Sequence, residues 1–155
     1  ISATAWLGGE LFVRLSGSET ALRPAATRIG GDPLPREQAE ALWRAIREHA
    51  HPFFSDEAPL WRVSVPPVAP PLGLQGTELV EWGGSLRWLK SSAEAGSVRE
   101  KVRSAGGHAT LFRAADKAAG AFTPLSPANL RLHRALKEAF DPAGILNPGR
   151  MYPEL

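Results

Sequence analysis

LWRVSV, residues 60–65, alternates between apolar and polar side chains. Trp61, Val63 and Val65 would point to one side of an extended chain, and Arg62 and Ser64 to the other. This pattern is typical of a strand with one buried face. The proline-rich residues 66–71 follow at once. Since proline cannot continue an interior sheet ladder, the strand is predicted to end there.

Three further segments predict strands. Residues 10–16 (ELFVRLS) and 108–113 (HATLFR) show the same alternation. Residues 78–90 (ELVEWGGSLRWLK) predict one long strand that is interrupted by Gly83 and Gly84. Paired glycines inside a strand indicate a bulge or the close approach of another backbone.

Four helices are predicted around these strands. Residues 20–29 and 93–105 are each followed by a glycine pair, which ends a helix. Residues 36–49 carry apolar side chains at the spacing of an amphipathic helix, namely Ala39, Leu42, Trp43 and Ile46. The last helix begins at a Ser126 N-cap followed by Pro127. Its apolar stripe consists of Leu132, Leu136 and Phe140.

The order of these elements predicts an α+β fold. Leaving out one helix gives βαββαβ, the ferredoxin-like unit, with a C-terminal helix and tail. This fold is an antiparallel sheet with helices on one face, so the second face is either solvated or covered by a partner. If Val13, Val63 and Leu111 face the helices, the second face carries Phe12, Arg14, Arg62, Ser64, His108, Thr110 and Phe112. Such a face suits a flat or anionic ligand, and a plain solvated face is the alternative.

The composition is that of one globular domain. The chain has 155 residues, 43% hydrophobic and 22% charged, which is enough to bury a core. A net charge of +2 does not indicate a nucleic-acid or membrane surface. There are no cysteines, which excludes disulfides, thiolate catalysis and cysteine-ligated iron–sulfur or zinc centres in this chain. His49 and His51 lack a third ligand, so no metal site is predicted.

Two features concern the chain as a whole. No apolar run approaches the length of a membrane span. The chain begins at Ile1, without methionine or a signal pattern, and we therefore expect it to be a piece of a longer protein.

The tail carries the most informative motif. Residues 137–150, KEAFDPAGILNPGR, resemble the C-terminal signature of FAD-linked oxidases of the vanillyl-alcohol oxidase type. Three other segments resemble the FAD-binding subunit of bacterial glycolate oxidases: residues 60–66 (LWRVSVP), 81–88 (EWGGSLRW) and 106–112 (GGHATLF). The resemblance runs from about residue 6 to the end of the chain.

The resemblance implies a division of the parent subunit into two domains. Residues 1–155 would be the C-terminal cap, or substrate, domain, whose open sheet face covers the flavin ring and builds the substrate pocket. The N-terminal domain that holds the FAD pyrophosphate would be absent, and no glycine-rich phosphate loop opens a helix here. We therefore expect the isolated chain to be inactive and to bind FAD weakly or not at all.

The implied activity belongs to the intact subunit or complex. A flavin-dependent oxidoreductase would convert glycolate to glyoxylate by hydride transfer to FAD, in a complex with a sister flavin subunit and an iron–sulfur subunit. Its implied location is the cytoplasm, with peripheral attachment to the inner membrane through partner subunits. The alternative is a domain that does no chemistry: a flavin-binding, electron-relay or assembly module that docks on the sister subunit.

Six residues are candidates for the site. Asn147 and Arg150 lie in the motif that resembles the family's flavin-contacting turn, and Trp82 is a candidate for stacking near the flavin. Arg62 and Arg87 are candidates for the substrate carboxylate, which guanidinium binds through two parallel hydrogen bonds. His108 is the candidate proton acceptor for the substrate hydroxyl.

Each candidate has a structural alternative. Asn147 is suited to an ordinary turn, and Trp82 to core packing. The alternatives for Arg62 are an exposed strand arginine or a pair with Glu81 on the neighbouring strand, and the alternative for His108 is a structural role. Arg87 follows the glycine pair, so the sequence does not assign it to a face.

Overall fold

The computed structural model describes residues 1–155 as one six-stranded sheet with four helices. The strands are β1 (Ala3–Leu7), β2 (Glu10–Arg14), β3 (Leu60–Ser64), β4 (Thr77–Glu81), β5 (Leu86–Lys90) and β6 (His108–Arg113). The helices are α1 (Glu19–Ile29), α2 (Arg36–Arg47), α3 (Ala95–Ser104) and α4 (Pro127–Phe140). Short 3₁₀ turns cover Pro52–Phe54 and Trp82–Gly84.

The sheet is antiparallel throughout, in the order β2-β1-β4-β5-β3-β6. Strands β3 and β4 run in the same direction with β5 between them, and β5 and β6 run in the same direction with β3 between them. This interleaving is that of the split βαβ unit, so the predicted α+β class with an antiparallel ferredoxin-like sheet and a C-terminal helix is confirmed.

The strands that build this unit differ from the predicted ones. The strand at residues 10–16 forms the outer edge, as β2, and does not belong to the unit. The first crossover, from β3 to β4, is the proline-rich loop, and the second, from β5 to β6, contains α3. The added strand β1 was not predicted, although the Gly8–Gly9 turn between two short apolar runs is a hairpin signal.

Residues 78–90 form two strands, not the single interrupted strand that was predicted. The chain reverses at Trp82, Gly83 and Gly84, which all have positive φ angles of 53°, 62° and 101°. A Cβ atom on Gly84 would lie 2.8 Å from the Pro67 carbonyl oxygen, so only glycine allows the proline-rich loop to pack this close to the turn. The glycine pair therefore marks a tight turn with a close backbone approach.

The first face of the sheet, which carries Trp61 and Val63, packs against α3. Val98 and Val102 of α3 are fully buried there. The cluster also contains Val65, Leu72, Leu89, Ala109 and Leu111. This is the larger of the two buried apolar clusters.

The second face is the opposite side of the sheet, and its predicted membership is confirmed. Arg62 lies opposite Trp88 on β5 and Thr110 on β6. Ser64 lies opposite Leu86 and His108 on the same two strands. The register and the alternation along β2 put Phe12 and Arg14 on this side as well. The Phe112 ring also lies here, with its centroid 5.1 Å from that of Trp88.

Helix α2 departs from the predicted arrangement, because it packs on the second face. Ile46 is buried against Ala5, Leu60, Leu79 and Trp88, and the 3₁₀ turn at Pro52–Phe54 adds two phenylalanines. The apolar stripe of α2 has to be buried, and α3 already covers the first face over the central strands. The second face is therefore covered in part and open in part.

Helix α4 and the tail lie beyond the β6 edge. Ser126 caps α4 by accepting a hydrogen bond from the Asn129 amide, as predicted. The apolar stripe of the helix has no cover within the chain: Leu132, Leu136 and Phe140 are 59%, 48% and 82% exposed. The Tyr152 hydroxyl donates to the Thr123 carbonyl oxygen, which ties the tail to the segment beside β6. No helix here has both the length and the apolar character that crossing a membrane requires.

Candidate functional site

A cleft of about 1890 Å³ opens along the second face, between the sheet and the segment that contains α1 and α2. We call it the second-face cleft. From the sheet it is lined by Arg62, Glu81, Trp82, Leu86 and Trp88, among others. Concave clefts lined mainly by apolar and aromatic side chains, with a few converging polar groups, are typical ligand-binding sites.

Arg62 projects from the middle of β3 into this cleft. Its guanidinium carbon lies 5.7 Å from the centroid of the Trp82 ring. No carboxylate lies within 4.0 Å of it, and its N–H groups donate to no protein acceptor. The predicted alternative of a close pair with Glu81 is therefore not formed. A half-buried guanidinium with free donors is available to bind a carboxylate.

Glu81, at the end of β4, is a polar residue of the cleft that was considered from the sequence only as a partner for Arg62. The Trp88 indole Nε1 donates to its Oε2 at 2.9 Å. Burial raises the pKa of Glu81, opposed by that hydrogen bond and by the positive charge of Arg62. A carboxylate with a raised pKa beside a cation is suited to accept a proton.

Trp82 is exposed and does not join the core. Its side chain is 65% exposed, whereas Trp61 and Trp88 are buried. The residue adopts a positive φ, and the next amide, Gly83 N–H, donates to Thr4 Oγ1 at 2.8 Å. The turn thus presents the indole ring at the mouth of the cleft, next to Arg62.

His108 lies on the same face as Arg62 but outside the cleft lining. It opens β6, is exposed, and sits opposite Ser64, so it is diagonal to Arg62 across the β3–β6 pair. A Cβ atom on the preceding Gly107 would lie 2.2 Å from the Ser64 carbonyl oxygen. The glycine before His108 is therefore required for the close pairing of these strands.

Arg87 is not brought together with Arg62. The register places it opposite Val63 and Val80, which puts it on the first face, and it is buried. Its guanidinium donates to the carbonyl oxygens of Ala69, Pro70 and Gly84, at 2.5, 2.9 and 3.3 Å. These contacts hold the proline-rich loop against the sheet and leave little of the guanidinium for a ligand.

Asn147 and Arg150 lie in an exposed turn of the tail. Asn147 has a φ of 47°, and its carbonyl oxygen accepts from the Arg150 amide at 3.2 Å. The structure records no contact between either side chain and the sheet, so they are not joined to the second-face cleft within this chain.

Asp141 orders the segment that leads into this turn. Its carboxylate accepts from the amides of Ile145 and Leu146 and from Lys137 Nζ. These interactions lower its pKa, that with Lys137 contributing most. The tail motif therefore has a built local structure even without a neighbouring domain.

Comparison with known proteins agrees with the resemblance noted from the sequence. Residues 115–151 match the family described as FAD linked oxidases, C-terminal domain, and this range includes α4 and the Asn147–Arg150 turn. Over all 155 residues the chain is 45% identical to the glycolate oxidase subunit GlcE of Escherichia coli (strain K12). The chain spans 42% of the length of that protein. No solved structure matches.

Proposed function

We propose that this chain is the C-terminal domain of an FAD-linked oxidase subunit that acts on a small 2-hydroxy acid such as glycolate. Its second-face cleft would lie against the flavin ring, and Arg62 would bind the substrate carboxylate. The family match over residues 115–151 and the 45% identity to a glycolate oxidase subunit support the class of protein. The observation that carries the substrate assignment is the unpaired guanidinium of Arg62 beside the exposed Trp82 ring.

The residues of the cleft fit a flavin ring. Trp82, Leu86 and Trp88 offer flat and apolar surface, and Arg62 offers a positive charge. When bound, FAD supplies the hydride acceptor. The resemblance of the tail adds Asn147 and Arg150 as flavin contacts in the intact subunit. The FAD pyrophosphate would be held by the N-terminal domain of that subunit.

The chain's own residues would orient the substrate and take its hydroxyl proton. Arg62 would hold the carboxylate through two parallel hydrogen bonds. His108, on the same face, and Glu81, inside the cleft, are the two candidate proton acceptors. Glu81 lies in the same cleft as Arg62, whereas His108 would need the substrate to extend across β6.

The test is a pair of conservative arginine substitutions in the full-length subunit with its partner subunits. Arg62→Lys keeps the charge but loses the fork of donors, and we expect the KM for glycolate to rise about 10-fold to 100-fold. Arg28→Lys, on the exposed surface of α1, is the matched control and should leave KM unchanged. An unchanged KM in Arg62→Lys would refute the carboxylate role.

A second candidate function is a flavin-binding, electron-relay or assembly domain without chemistry of its own, docked on a sister flavin subunit. The uncovered apolar stripe of α4 favours a docking role. The full-length subunit purified alone distinguishes the two. A yellow protein that bleaches with glycolate supports the oxidase, and a yellow but inert protein supports the relay.

The partners and location follow from the oxidase proposal. We infer assembly with a sister flavin subunit and an iron–sulfur subunit in the cytoplasm, with peripheral attachment to the inner membrane through those subunits. Copurification of the three subunits from membrane and soluble fractions would test both statements.

A further inference from the structure

Strand β2 is an open edge of the sheet. It pairs with β1 on one side and has no strand, helix or loop hydrogen-bonded to its other side. An edge strand presents a row of free backbone N–H and C=O groups, which is a template for pairing with another strand.

The side chains of β2 are complementary to themselves. The strand reads Glu10, Leu11, Phe12, Val13, Arg14. In an antiparallel pair of two copies centred on Phe12, each Glu10 faces the Arg14 of the other copy, and each Leu11 faces the other Val13. Opposite charges and apolar side chains directly across an antiparallel pair are the favourable arrangement, and a two-fold axis through the Phe12 pair generates both halves.

The charged ends of the strand are free to pair. Glu10 is exposed and forms no ion pair within the chain. The Arg14 guanidinium uses Nε to donate to Ser2 Oγ and lies 5.7 Å from the Trp43 ring, which leaves its two Nη groups available. Leu11 is 64% exposed on the first face, over which no helix packs at this edge.

We propose that β2 is the interface of a symmetric dimer of this chain, in which the two six-stranded sheets join edge to edge into one continuous antiparallel sheet. The occupant of the edge is a second copy. An antiparallel partner strand needs a positive charge opposite Glu10, apolar residues in the middle and a negative charge opposite Arg14. A second β2 strand supplies all three. The inference is independent of the proposed oxidase activity.

The experiment exchanges the charges of the strand in the full-length subunit and measures its molecular mass by sedimentation equilibrium. The unsubstituted protein should be a dimer. Glu10→Arg and Arg14→Glu each place like charges opposite one another at both ends of the pair, and each should weaken dimerisation by roughly tenfold to several hundredfold. An equimolar mixture of the two single variants restores opposite charges at both ends and should form a mixed dimer.

The double variant, Glu10→Arg with Arg14→Glu, provides the folding control, because it restores self-complementarity and should dimerise like the original protein. Both residues are exposed, and circular dichroism should show the same secondary structure in all variants. A protein that stays monomeric overturns the proposal and leaves the edge to a strand of another polypeptide. A dimer that persists equally in both single variants also overturns it, since the interface would then lie elsewhere.

Discussion

Replacing Arg87 with methionine should destabilise the fold without changing substrate binding. The structure gives the guanidinium three carbonyl acceptors, of which those of Ala69 and Pro70 are within 2.9 Å. A hydrogen bond to a charged group contributes about 1.5–3 kcal/mol, so two good ones contribute about 3–6 kcal/mol. Methionine retains much of the buried volume and removes the cost of burying a cation, and exposed carbonyls can turn to water. We therefore expect a loss of about 2–4 kcal/mol.

Urea unfolding followed by circular dichroism measures this loss. With a denaturant slope of about 2 kcal/mol per molar, the midpoint should fall by roughly 1–2 M. Arg62→Met is the matched control, because its guanidinium contacts only the exposed Trp82 ring, and it should lose less than about 1 kcal/mol. The KM for glycolate, measured in the full-length subunit, should rise for Arg62→Met and stay constant for Arg87→Met. An Arg87→Met protein with unchanged stability and a raised KM would refute the structural role given to Arg87.

Three further outcomes are expected. Leu89→Ala removes a fully buried side chain of the first-face cluster and should lower the free energy of unfolding by about 2–5 kcal/mol in the same urea assay. Burial and the positive charge of Arg113 lower the pKa of His49 from 6.5. As the pH falls, this histidine is therefore protonated at a higher pH in the unfolded chain than in the folded one. The stability it contributes should be complete above pH 6.5 and be lost as the pH falls below that value, and Tm measured against pH should show a weaker dependence in His49→Asn. Asp141→Ala removes the acceptor for two tail amides, and hydrogen exchange of Ile145 and Leu146 should become at least tenfold faster.

The strands of the central sheet could be predicted because their side chains alternate under one strong constraint, burial of the first face. Trp61 and Val63 show this pattern, and it correctly assigned Arg62, Ser64 and His108 to the opposite side. The alternation does not say which strands are neighbours. A proline-rich loop forms the first crossover of the split βαβ unit, for which a helix was predicted, and the β1–β2 hairpin is added at the edge of the sheet. Both features depend on contacts between residues distant in sequence, which no local pattern records.

The candidate site was predictable in part for the same reason. Arg62 and Trp82 come together because the turn between β4 and β5, which has three consecutive positive φ angles, presents the Trp82 ring on the face from which Arg62 projects. Arg87 could not be assigned to a face from the sequence, because the glycine pair before it interrupts the alternation on which that assignment depends. Glu81 was underestimated because its raised pKa arises from burial, which a single sequence does not display.

The two apolar clusters lie back to back and share their scaffold. Strands β3 and β5 each contribute alternate residues to both: Leu60 and Trp88 to one, Trp61 and Leu89 to the other. If one cluster came apart while the strands stayed in place, the apolar side chains on that face of β3 and β5 would be exposed to water. The domain should therefore lose both clusters in a single cooperative transition, and the two buried indoles, one in each cluster, should report the same midpoint.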